Sequence, residues 1–125
     1  MVQKTFGSTE QAFKESLVDA YAIYQLKYDD STIGLRFMSY GFIHAQGIEP
    51  KLENYDLKYT GELGGLGSSE NILEDLYRIF NIERPEDFAG HSLSLSDIVA
   101  LKQNGVISYH YVDVIGFKTL EKSGD

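Results

Sequence analysis

The residues best suited to chemistry gather in the C-terminal third, where His91, Ser92, Ser94, Ser96, Asp97, His110 and Asp113 bring together nucleophilic and acid–base groups. Serine, histidine and aspartate are the parts of an acyl-transfer triad, so a hydrolase or transferase using Ser94 or Ser96 with His91 or His110 is one reading. A triad nucleophile sits on an exposed, constrained turn, and the sequence has no Gly-x-Ser-x-Gly elbow or comparable signature. Serines that alternate at the entrance to a strand commonly satisfy backbone groups instead. No catalytic residue is assigned, and the chain is expected not to be an enzyme.

Other chemistries find less to work with. His44, His91 and His110 could join aspartates around a metal, but no pair has the close, one-face spacing of a His-Glu-x-x-His module. The absence of cysteine also removes thiolate zinc sites. Gly61, Gly64, Gly65 and Gly67 precede a helix as a phosphate-binding loop would. Neither the lysine and hydroxyl of a P-loop nor a Gly-x-Gly-x-x-Gly pattern is present, so the stretch reads as a flexible connection. Nine tyrosines and seven phenylalanines without tryptophan suit core and cross-strand packing, and the eleven basic residues, outnumbered by nineteen acidic ones, form no basic run beside them to support base stacking. No metal and no cofactor is expected.

The elements that position these groups follow from periodicity. Ser8 with Gln11 has the capping-box pattern, and Ala12, Phe13, Leu17 and Ala20 recur near helical spacing, which predicts a helix over Ser8 to Asp19. From Ala20 to Tyr28, Tyr21, Ile23 and Gln25 take one side and Ala22, Tyr24, Leu26 and Tyr28 the other, as in an aromatic-rich strand. Asp29, Asp30 and Ser31 make a turn. Leu35 to Met38 reads as a short extended piece, after which Ser39 caps a helical turn through Phe42, Ile43 and Ala45 that Gly47 ends. Tyr55, Leu57 and Tyr59 alternate with Asp56, Lys58 and Thr60, predicting a strand over Asn54 to Thr60 with one buried face and one wet face.

Ser68 or Ser69 can start the next helix, in which Ile72, Leu73, Leu76, Ile79 and Phe80 form one stripe while Glu70, Glu74, Asp75 and Arg78 face water. Asn81 suits its C-terminal end, and Pro85 bars continuation. Asp97 to Lys102 and Val106 to Val112 read as strands joined through an Asn104-Gly105 turn, with Ile115 to Leu120 as a third strand. In the returning strand Ser108, His110 and Val112 share one face, and Ile107, Tyr109 and Tyr111 the other. The expected class is α+β: an antiparallel sheet with a C-terminal Asn-Gly hairpin, packed against two to three helices.

With 125 residues, 42% of them hydrophobic, the chain can build a single core and one compact domain. Nineteen acidic against eleven basic residues give a formal charge of −8, which disfavours a grip on phosphate backbones and leaves partners with basic surfaces open. Direct nucleic-acid binding is not expected. Met1 to Phe13 lacks an apolar run of signal-peptide length, and no segment approaches the roughly 18 apolar residues of a membrane span, so a cytoplasmic location without membrane insertion is expected.

Four segments resemble the YodL-like domain: IYQLKYDDSTIGLRFMSY, NYDLKYTGEL, LEDLYRIFNIERPEDFAGHSLSLSDIVALKQNG and YHYVDVIGF. The resemblance covers Ile23 to Phe117, and its most specific part runs from Phe80 to Phe117. It implies a domain of low-GC Gram-positive bacteria and their conjugative elements, where such domains occur in large polyvalent proteins beside methylase or antirestriction domains. It supplies no catalytic residues. The organisation expected is an N-terminal helical extension over 1–22, the YodL-like domain over 23–120 and a frayed end over 121–125.

The matching positions take structural meanings: Gly90 for a turn, Ser96 or Asp97 to cap or brace a strand start, and Gly116 for a bulge between Ile115 and Phe117. His91, Ser94, His110 and Asp113 belong to the same motif positions, and Tyr111, Val112 and Asp113 would present the hairpin's end. The function expected is a non-enzymatic interaction module of a mobile genetic element, in its finer form an acidic inhibitor of a host defence nuclease of the CRISPR or restriction kind. It would bind a basic groove by placing carboxylates where phosphates would lie. Glu70 with Glu74, and Glu83 with Glu86 and Asp87, are the candidate partner-binding residues, or else solvated faces among Lys58, Arg78 and Arg84. The alternatives are the serine/histidine enzyme and a regulatory partner of cell-shape or division proteins.

Overall fold

A computed structural model describes residues 10–27, 29, 32–66, 71–88 and 90–120. Five strands form one antiparallel sheet: β1 (Ala20–Leu26), β2 (Tyr55–Glu62), β3 (Ile98–Gln103), β4 (Val106–Val112) and β5 (Phe117–Leu120). Their spatial order is β2-β1-β3-β4-β5, so β1 and β3 lie side by side inside the sheet although 71 intervening residues separate them in sequence. Helices α1 (Glu10–Lys14), α2 (Tyr40–Ala45) and α3 (Ile72–Ile82) complete the α+β fold among the described residues. No helix among them is long and apolar enough to cross a membrane.

The alternation along β1 sorts the core into two layers. Ala20, Ala22, Tyr24 and Leu26 face Phe13 of α1, Ile43 of α2, and Ile98, Ala100, Tyr109 and Tyr111 of the neighbouring strands. Tyr21 and Ile23 face Leu76 and Phe80 of α3 with Leu93, Val99, Leu101 and Val112. Because both faces of β1 are covered, every one of its residues is buried, a pattern that a one-sided sheet would not tolerate. α3 forms from the stripe expected of it, burying Leu76 and Phe80 and half-burying Ile72, Leu73 and Ile79.

Several boundaries differ from the periodicity. α1 ends at Lys14, Leu17 is fully exposed, and Lys102 Nζ donates to the carbonyls of Lys14 and Ser16, closing the helix so that β1 can enter the sheet at Ala20. The proposed cap Ser8 lies outside the described residues, as do Tyr28, Asp30, Ser31, Gly67, Ser68, Ser69, Glu70 and the tail 121–125. Residues 32–37 are turns rather than an extended piece: buried Thr32 donates its hydroxyl to Lys27 O, and Leu35 N–H donates to Thr32 O at 2.8 Å. Ser39 does cap α2, accepting from Phe42 N–H at 3.1 Å.

The single wet face expected for β2 is absent. Ile23 stands opposite Tyr59 but Tyr24 opposite Leu57, so Lys58 is a bulge that switches the strand's parity. Tyr55 and Leu57 therefore pack on the α1–α2 side, Tyr59 packs on the α3 side, and Thr60 is buried. α3 is capped by the side chain of Asn71, which accepts from Glu74 N–H, and runs through Asn81 to Ile82, with Glu83 as its C-cap. Gly116, with φ +69°, lies in the tight turn 113–116 rather than in a bulge, and its carbonyl accepts from Asp113 N–H at 3.0 Å.

Candidate functional site

Three loops meet at one end of the sheet: residues 32–39 before α2, 90–97 before β3, and 113–116 between β4 and β5. What joins them begins with Gln25, near the end of β1 and 1% exposed. Its amide accepts from His91 N–H at 3.2 Å and donates to His91 O at 2.8 Å and to Asp97 Oδ2 at 3.0 Å. The same carboxylate oxygen accepts from Ser94 N–H at 2.8 Å. Gly90 fits here for space rather than for a turn, because a Cβ would collide with Gln25 Oε1 and the Phe88 ring. Asp97 is 2% exposed, and burial lifts its carboxyl to about 7, against the downward pull of the Ser94 and Gln25 hydrogen bonds.

Ser96 braces the junction from the other side. Its N–H donates to Val112 O at 2.9 Å, its carbonyl accepts from Tyr55 OH at 2.7 Å, and its hydroxyl accepts from Phe37 N–H at 3.0 Å. Ser96 and Phe37 have φ of +84° and +61°, a left-handed conformation that costs side-chain-bearing residues roughly 1–2 kcal/mol each. Such backbone persists where its surroundings over-determine it, as this hydrogen bond between the two residues does. Tyr111 OH donates to Met38 O at 2.7 Å, and Asp113 Oδ1 accepts from Tyr40 N–H at 3.1 Å and from Val114 N–H at 2.9 Å. Burial pushes the Tyr55 and Tyr111 phenols well above their ordinary range, so both stay neutral donors.

The serines and histidines are thus brought close without forming a triad. Ser94 Oγ donates to Ser92 O at 2.7 Å, and His91 Nδ1 stands 2.7 Å from Ser92 O and 3.2 Å from Gln25 Nε2. His110 lies apart on β4, its Nε2 2.8 Å from Ser108 Oγ and its Nδ1 3.0 Å from Thr119 Oγ1. Burial lowers the His110 pKa, which keeps the ring neutral between two hydroxyls. Ser108 therefore has the base that Ser94 and Ser96 lack, yet it sits in the body of a strand instead of on a turn. Its only sequence signal was the two-residue spacing to His110 on one strand face.

The acidic candidates are dispersed. Glu74 is exposed in the first turn of α3. Glu83 pairs with Arg78 at 3.3 Å, Asp87 accepts from Tyr59 OH at 3.0 Å, and Glu86 is exposed in the turn beyond α3. No group of three or more metal-ligating side chains occurs among the described residues. A groove of about 900 Å³ between α1, α2 and β5 sets Lys14, Lys51 and Lys118 among Glu10, Glu49 and Glu53, a mixture of signs that selects no one ligand charge.

Residues not singled out from sequence dominate the loop end. Gln25 forms its buried centre, and Phe37, Val114 and Ile115 are displayed from its loops with exposures of 51%, 68% and 90%. The available signal was a pair of β-branched residues placed in a tight turn, Val114-Ile115-Gly116, where polar residues are usual.

These features define a class: an α+β domain whose five-stranded antiparallel sheet has helices on both faces and a buried polar clasp under the loops of one end. Residues 20–122 match the YodL-like domain, and the chain belongs to that family. The match begins at the first residue of β1 and takes in the whole sheet. No curated protein and no solved structure matches the chain.

Proposed function

We propose that this YodL-like domain is a non-enzymatic protein-interaction module that binds through the loop end of its sheet. The observation that carries this reading is the exposure of Phe37, Val114 and Ile115 on loops held from beneath by Gln25, Ser96, Asp97 and Asp113. Single exposed apolar side chains are ordinary, whereas several on pre-positioned loops at one end have the make-up of an interface centre. Loops already ordered lose little entropy on binding. The formal charge of −8 favours a partner with a basic surface and faster association at low salt. The finer reading, an acidic inhibitor of a CRISPR or restriction nuclease within a mobile element, rests on that charge and on the family context. Regulation of cell-shape or division proteins would use the same surface with a different partner.

One observation favours a second reading. The Ser108–His110 contact has the nucleophile–base form of a hydrolase or transferase, with Thr119 orienting the ring. The two readings separate in one experiment: affinity capture with the wild-type chain as bait, repeated with Val114→Asp/Ile115→Asp and with Ser108→Ala. The binding module retains its partner in Ser108→Ala and loses it in the double aspartate variant. Retention by a folded double variant would overturn the proposal.

A further inference from the structure

Beside the displayed loop, a second pocket of about 220 Å³ opens between α3 and the β4–β5 turn, lined by Glu74, Tyr77, Asp113, Val114, Gly116 and Phe117. It is smaller than the roughly 300 Å³ at which small-molecule sites begin, and suits one long side chain. We infer that this pocket is an arginine-accepting subsite at the rim of the interaction surface, taking a guanidinium from a basic protein partner. The inference rests on the interaction-module reading and names the chemistry of its partner.

The walls fit a guanidinium in shape and sign. Tyr77 is 41% exposed, and its ring is held edge-on against Phe117 at 6.3 Å, so an aromatic surface faces the pocket at low entropic cost. Arginine stacks on such a ring through its planar, weakly hydrated head, whereas lysine brings a strongly hydrated point charge. Asp113 is oriented by the two backbone N–H groups on its Oδ1, while its Oδ2 enters no hydrogen bond among the described residues. The Glu74 carboxylate likewise has no partner among them. Two carboxylates near one ring match the fork of donors that a guanidinium presents, and they outweigh the partial positive charge of the α3 N-terminus.

Among the described residues no lysine or arginine lines this pocket. Arg78 is engaged with Asp75 at 3.6 Å and Glu83 at 3.3 Å, and Lys118 lies over the Tyr40 ring, 5.3 Å from its centroid. Among the described residues the pocket gathers no group of three or more metal-ligating side chains. Val114 serves both pocket and displayed surface, so a partner side chain seated here would continue directly into the apolar contact.

The test uses the full chain, labelled with nitrogen-15 and titrated with the capped tripeptide acetyl-Gly-Arg-Gly-amide. The same peptide is run with citrulline, uncharged and isosteric, or with lysine in the central position. Saturable amide shifts confined to Tyr77 and 113–117 are expected with the arginine peptide. Its affinity should exceed that of either control by roughly fivefold or more and fall with added salt. Glu74→Gln and Tyr77→Leu should each weaken it by roughly two- to fivefold with the rest of the spectrum unchanged. Equal binding of the citrulline or lysine peptide, shifts centred elsewhere, or no shifts at all would overturn the subsite. Loss of the subsite leaves the interaction module standing if Val114→Asp/Ile115→Asp still abolishes partner capture. Capture that survives the double variant removes the module reading whatever the peptide does.

Discussion

At one end of the sheet Gln103 stands opposite Val106, and the chain reverses through Asn104 and Gly105, both at positive φ. At the other end, segments far apart in sequence are tied by side chains: Gln25 reaches His91 and Asp97, Phe37 reaches Ser96, and Tyr40 reaches Asp113. A two-residue turn is closed by local backbone preference, and here Asn104 N–H also donates to Asp19 Oδ1 at 3.0 Å. The loop end is closed by long-range bonds to buried polar groups, each expensive to leave unmade. The difference teaches that local turns set strand register, while fixing loops remote in sequence takes a buried network. That network is what makes the loop end a pre-organised surface.

Both ends hang from the same core, so Leu76→Ala should have the largest effect, lowering stability by roughly 2–5 kcal/mol with both ends lost in one denaturation step. A melt in which either end outlasts the other would break that picture. Gln25→Leu should cost about 1–3 kcal/mol by stripping Asp97 and His91 of an amide partner, with amide exchange speeding over 90–97 and not at the Asn104-Gly105 turn. Equal acceleration at both ends would remove the distinction.

The Asp97 carboxyl should also make the loop end pH-sensitive. Its folded pKa of about 7 lies above the ordinary value, so its contribution to stability is full below about pH 4 and is lost as the pH rises through about 7. The lowered pKa of His110 acts in the opposite sense, removing stability as the pH falls below the ordinary histidine range. The Asp97 effect is therefore read as the difference between the wild type and Asp97→Asn in thermal melts from pH 8 to pH 5, with the wild type gaining relative to the variant on acidification. The opposite sign would show that Asp97 is held as a stabilised anion. The smallest effect, about 1 kcal/mol, is expected for Asn104→Ala, which puts an ordinary side chain at φ +52° and should leave exchange at 90–97 untouched.

Much of the frame was legible because period-two and helical patterns survive packing. Tyr21 and Ile23 against Ala22, Tyr24 and Leu26 separate into two core layers as their alternation indicates, and α3 buries the stripe written in Ile72, Leu76 and Phe80. Tertiary contacts set what was not legible. Leu17 fits helical spacing, yet the entry of β1 into the sheet leaves it in water. Lys58 shows no sign of the bulge that moves Tyr59 to the opposite face, because a bulge belongs to a strand pair and not to one strand. His91, Ser94, Ser96 and Asp97 were visible as a cluster of polar types. The group that organises them, Gln25, is 72 residues from Asp97 and meets it only once β1 and β3 pair.

Amide hydrogen exchange of the chain, free and in complex with a protein partner recovered by affinity capture, would test the central claim most directly. Binding through the loop end predicts added protection at residues 90–97 and 113–117 and none at Asn104-Gly105, where the turn is closed without that network. Protection centred on the Asn104-Gly105 end, or spread evenly over both, would contradict it.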